Sequence, residues 1–147
     1  MADKAVLLDP NSGDVWHARG WIALMCCKPD EVIESLSQSI KFNPKDPGIR
    51  ASWAGTSYAL WMKGQYEEGF VLATKAIQFR PTPLSLSAYI VNAVAAGYLD
   101  RAQKAVKQTL AMVPDLTISK AIEEVAFSDP SMTSRVAECL RGAGFPE

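Results

Sequence analysis

Four prolines constrain this chain more than any other feature. Pro10, Pro44, Pro81 and Pro114 follow one another at intervals of 34, 37 and 33 residues, and five positions before each stands a small side chain: Ala5, Ser39, Ala76 and Thr109. A proline cannot continue a helix, and a small residue shortly before it lets a second helix approach closely. Each pair also closes an apolar helical stripe. Self-similarity at this period predicts a stack of helical hairpins.

The best copy is the middle one. Trp53, Tyr58 and Leu60 belong to one expected helix, Gly64-Gln65-Tyr66 to a tight turn, and Phe70, Ala73, Ala76 and Ile77 to a second helix closed by Pro81. Upstream, Trp16, Gly20, Ala23 and Leu24 make a first helix. Pro29-Asp30-Glu31 starts its partner with proline and acids in the first turn, and Val32, Ile33, Leu36 and Ile40 form the inner stripe. Downstream, Thr82-Pro83 is a cap followed by proline, Gly97 marks the turn, Asp100 is a candidate cap, and Ala102, Ala105, Val106 and Thr109 recur at helical spacing. The 37-residue interval contains Asp46-Pro47, read as a cap and first helical position. The three extra residues are therefore expected to lengthen a helix rather than form a loop.

The ends differ from the middle. Lys4 to Pro10 matches only the second half of a second helix, which predicts a truncated repeat: a C-terminal fragment of a longer protein, or an end that borrows a surface from another chain. After Pro114, Ile118, Ala121, Ile122 and Val125 form one stripe, and Asp129-Pro130 caps another carrying Met132, Val136, Cys139 and Leu140. Lys120, Glu123, Glu124, Arg135, Glu138 and Arg141 fall on the outer faces, which suits a unit that closes the apolar end of a stack. The division expected is residues 1–12 as the truncated helix, 13–44, 45–81 and 82–114 as three repeats, and 115–147 as a capping helix pair.

With these residues in place, the chain resembles the tetratricopeptide repeat (TPR) family over about residues 5–114. Trp53, Tyr58, Gly64, Tyr66, Ala73, Ala76 and Pro81 match the family pattern, although Ser57 stands where glycine is usual and Gly69 where alanine is usual. Trp16, Gly20, Leu36 and Pro44 make a weaker copy, with Pro29 at the usual aromatic and Val32 at the usual alanine; Gly97, Leu99, Ala102 and Pro114 make a third. The ending Leu140 to Glu147 is similar to the terminus of TPR regions at the C-terminus of bacterial class III adenylate cyclases, particularly those of rhizobia. No cyclase catalytic domain is present in the sequence. The fold implied is all-α, a TPR-like right-handed superhelix of antiparallel helix hairpins.

The resemblance also implies a site. First helices of successive repeats line a concave groove, which by position carries Asp14, His17, Trp21, Leu24 and Met25, then Ala54, Tyr58, Trp61 and Met62, then Leu84, Ser87, Val91, Val94 and Ala95. His17, Trp21, Met25, Tyr58, Trp61, Met62 and Val91 are the candidate partner-binding residues, suited to an apolar peptide or helix. The competing reading is that these large side chains are core, or are covered by C-terminal helices folding back. The lysines, asparagines and arginine with which some family members grip a terminal carboxylate are not at these positions.

Other functional classes find little support. A net charge of −1 without a basic block gives nucleic acid no electrostatic reason to bind. The longest strictly apolar run, Trp21 to Cys27, is far short of the ~20 residues of a membrane span. His17 is the only histidine and lacks the partners of a catalytic relay or metal site. Adjacent Cys26-Cys27 lacks a redox or zinc spacing and is read as part of an apolar helix; three cysteines with no disulfide framework favour a reducing, cytoplasmic setting. Glu67-Glu68 and Glu123-Glu124 are read as first-turn or solvated acids, and Gly142-Ala143-Gly144 as no phosphate loop. The expectation is a non-enzyme without cofactor or metal that binds a protein or peptide. The alternative is homo-oligomerisation, including a homodimer through the unpaired N-terminal helix, within a multidomain cyclase or transcriptional regulator.

Overall fold

A computed structural model describes residues 2–147 of the chain. Within them, nine helices run in order: α1 (Ala2–Leu8), α2 (Gly13–Met25), α3 (Pro29–Phe42), α4 (Ile49–Met62), α5 (Tyr66–Phe79), α6 (Pro83–Ala95), α7 (Leu99–Met112), α8 (Ile118–Val125) and α9 (Pro130–Gly142). The architecture is all-α and TPR-like. Helices α2/α3, α4/α5 and α6/α7 form three successive hairpins, and each first helix packs on the one before it.

One turn geometry closes all three hairpins. Cys27, Gly64 and Gly97 take left-handed φ values of 56°, 79° and 87°. At each, the residue's own N–H bonds the carbonyl three back and the next N–H bonds the carbonyl five back: Leu24 and Ala23, Trp61 and Leu60, Val94 and Ala93. These are Schellman caps, which satisfy the last carbonyls of a helix and reverse the chain. Cys26, the exposed cap residue, and Cys27, in the turn, thus both lie beyond the apolar helix expected for them, and Cys27 holds a conformation that glycine holds at less steric cost.

The small residues before the prolines are where helices meet. Ser39, Ala76 and Thr109 are buried, and Ala5 is half-buried. Trp53 packs within its own hairpin, its ring 5.9 Å from Phe79 and under Lys75 at 4.4 Å. Thr82 caps α6 in a reciprocal capping box with Ser85.

Two local expectations are corrected. The three extra residues of the middle repeat do loop out: α4 begins at Ile49, and Asp46 accepts a bond from the Gly48 N–H at 2.7 Å. That carboxylate satisfies the donor two residues on, so Pro47 sits in a turn rather than in the first turn of the helix. Asp100 lies inside the first turn of α7, whose cap position is Tyr98; its charge favours the helix end without capping it.

The C-terminal helix pair does more than close one end. Helix α9 packs along α6, and the connection between α8 and α9 reaches back to the first hairpin, where the Ser128 N–H donates to the Met25 carbonyl at 2.7 Å. The tail then returns to the start of this pair. The Ile118 N–H bonds the Pro146 carbonyl at 2.8 Å, and Leu140, Ala143 and Phe145 are buried.

Candidate partner-binding site

Helices α2, α4 and α6 pack in succession, and the C-terminal pair lies across the face that they share. Tyr58 and Trp61, on adjoining turns of α4, are 0% and 1% exposed. Phe127 meets the Tyr58 ring edge-on at 5.9 Å, and Arg135 of α9 stands over the Trp61 ring at 4.4 Å. The Tyr58 hydroxyl shares a hydrogen bond with Ser87 of α6. Burial pushes its phenol far above the ordinary range, with the Ser87 bond opposing, so it remains a neutral hydrogen-bonding group. Cys139 beside Trp61 likewise has its thiol raised by burial, against the pull of Arg135. These contacts are aromatic, cation–π and hydrogen-bonding, the means by which a groove grips a helix.

The seven candidate residues therefore fall into two groups. Tyr58, Trp61 and Val91 are core in this structure, as the packing reading expected of large side chains. His17 and Trp21 of α2 and Met62 of α4 are half-buried, and Met25 of α2 is 44% exposed. His17 lies 6.1 Å from the Trp21 ring and 3.1 Å through Nδ1 from the Ser52 hydroxyl. This His–Ser pair is not a nucleophile and base, because Ser52 is buried beyond a substrate's reach. Among the described residues, no three His, Cys, Asp or Glu side chains are placed to hold a metal ion.

Sequence reasoning missed Phe127, Ser128 and Arg135, which join the C-terminal pair to the groove. Phe127 and Ser128 lie in a connection with no periodicity to reveal an inward direction. Charge alone places Arg135 on the outer face, whereas it is half-buried over Trp61. Glu124 is exposed, as charge alone expects, yet it is close enough to disfavour ionisation of Tyr58, and desolvation raises its own carboxyl above the usual value.

No family model matches the chain, and no curated protein matches it. Among solved structures, the fold is similar to the crystal structure of PilW, described as a widely conserved type IV pilus biogenesis factor, with a TM-score of 0.71 over 95% of this chain. Sequence identity is 15%, and the chain spans 66% of the length of that one. At that identity the likeness speaks for the helical fold alone. No helix among the described residues is long and apolar enough to cross a membrane.

Proposed function

We propose that this chain is a non-catalytic protein-interaction module whose concave face receives a helix or an apolar peptide. One observation carries the reading: the face formed by α2, α4 and α6 already holds a helical segment through Tyr58 and Trp61. A partner engages the strip left open at His17, Trp21 and Met25, extending the surface on which the C-terminal pair rests. The similarity of Leu140 to Glu147 to cyclase-associated TPR termini supports placing such a module in a signalling or regulatory protein.

The test avoids Tyr58 and Trp61, whose truncation would open the core. Partners recovered by crosslinking to wild type are compared with those of Met25→Asp on the strip and Val71→Asp on the exposed side of α5. The reading expects Met25→Asp to lose a partner that Val71→Asp retains. If every partner binds both folded variants equally, the concave face is not the binding surface.

A second reading, self-association, is favoured by a different observation. The N-terminal face of α1 and α2 leaves Leu8 and Ile22 uncovered, at 79% and 47% exposure. Aliphatic side chains grouped this way on one face are characteristic of an interaction surface.

A further inference from the structure

The repeat register shows what the equivalent faces of α4 and α6 pack against. The three closing turns bring Cys27, Gly64 and Gly97 into register, so Val15, Ala18 and Ile22 of α2 correspond to Ser52, Gly55 and Ala59 of α4, and to Ser85, Ala88 and Asn92 of α6. In α4 and α6 all six of these positions are buried. They pack toward the hairpin before: a Cβ at Gly55 would stand 2.8 Å from Leu36 of α3, and Asn92 bonds Ser57 of α4. In α2 the same positions are less covered: Val15 is half-buried, and Ala18 and Ile22 are exposed. They form one wall of a cleft of about 570 Å³, with Ala5 and Leu8 of α1 on the other.

We propose that this cleft docks a second copy of the chain, α1–α2 face against α1–α2 face. The proposal rests on the self-association reading and adds the surface and its symmetry. Two properties select a like copy as the occupant. The face carries both halves of an apolar fit, small residues at Ala5 and Ala18 and protruding Leu8 and Ile22, so ridges of one copy have hollows in the other. It also carries one charge of each sign, Lys4 and Asp14, and neither is paired among the described residues. A two-fold axis through the cleft sets Lys4 of each copy against Asp14 of the other, as an isologous contact requires. Asp3, on the same helix, is already engaged with Arg19 at 2.7 Å, which fixes α1 on α2 and leaves Lys4 for the partner.

Sedimentation equilibrium over the micromolar to millimolar range tests this, with circular dichroism to establish that each variant is folded. Wild type is expected to dimerise. Ile22→Asp should weaken the dimer about 30-fold or more, the loss expected of a buried anchor. Lys4→Asp should weaken it through like-charge contact with Asp14, and the double variant Lys4→Asp/Asp14→Lys should restore it, because the two-fold exchanges both partners together. A wild type monomeric at every concentration overturns self-association altogether. A dimer that persists in Ile22→Asp, or that the double exchange fails to restore, leaves self-association standing and overturns this surface and its symmetry.

Discussion

The middle repeat departs from the TPR pattern at Ser57 and Gly69, and the structure makes the two departures one feature. The Asn92 side-chain amide donates to the Ser57 hydroxyl at 2.9 Å, the Ser57 carbonyl at 3.2 Å and the Ala88 carbonyl at 3.0 Å, while the Ser57 hydroxyl donates to the Gly69 carbonyl at 2.8 Å. Asn92 Oδ1 has no donor and lies over the bare Cα of Gly69, where a Cβ would come within 2.2 Å of it. Residue 69 must be glycine because residue 92 is asparagine. Both odd residues were visible in the sequence, but their pairing across three helices was not, since no spacing rule connects position 69 to 92. Gly69→Ala should therefore destabilise the chain by about 1–3 kcal/mol despite alanine's helix propensity, by breaking buried hydrogen bonds. Adding Asn92→Ala should recover part of that loss, a coupling that urea denaturation of the two single variants and the double would show. Cys27 is the opposite case. Its left-handed φ carries a steric cost that Gly64 and Gly97 avoid at the equivalent turns, so Cys27→Gly should stabilise by about 1 kcal/mol in the same measurement.

At the scale of the helix, what the sequence shows best is periodicity and punctuation. The hairpin helices, the Thr82 cap and the Asp129 cap follow from apolar spacing and from Ser, Thr or Asp before proline. The start of α4 does not, because Asp46 has two uses, capping a helix or closing a turn onto Gly48, and composition does not choose between them. Nor does the direction of the C-terminal pair follow. Helix α8 is short, and charge places Glu124 on its outer face, where the residue is exposed, yet neighbouring atoms desolvate its carboxyl enough to raise it. A carboxyl raised in the fold favours the folded state when protonated. Its stabilising contribution is complete below the unfolded value, near 4.5, and is lost as pH rises through the higher folded value. Glu124→Gln should accordingly raise the melting temperature at neutral pH, and the gain should disappear as pH falls below 4.5. Asp129 has the opposite sign. Bonds from the Ser131 hydroxyl and then its N–H hold the Asp129 carboxyl below the ordinary range, so the cap of α9 is lost only as pH falls through that lowered value. Thermal melts of wild type and Glu124→Gln across the acid range would separate the two.

At the scale of the molecule, the fold-back changes the kind of object the chain is. In a simple hairpin stack each unit touches only its neighbours, and unfolding can begin at an end and spread. Here Ser128 bonds Met25, Phe127 packs on Tyr58, and Arg135 covers Trp61, so the last helices are tied to the first hairpin and to the middle one. The order of helices was legible from proline spacing, but this closure was not, because it depends on three residues outside any repeat position. A chain closed in this way should unfold as one unit from α2 to α9. With Trp16→Phe, Trp21→Phe and Trp53→Phe in place so that Trp61 alone reports, far-ultraviolet circular dichroism and tryptophan fluorescence should give coincident urea curves. Helix α1 stands outside the unit: it buries no residue completely and hangs on Arg19, so its amides should exchange first. Phe127→Ala is the decisive variant. It removes the aromatic contact with Tyr58 at a cost of about 1–3 kcal/mol, and it should pull the fluorescence curve to lower urea than the circular dichroism curve as the C-terminal pair lifts from the groove. Curves that shift together would mean that the Phe127 contact with Tyr58 is not what couples the C-terminal pair to the rest, and that packing on α6 with the Ser128–Met25 bond is enough to keep unfolding cooperative.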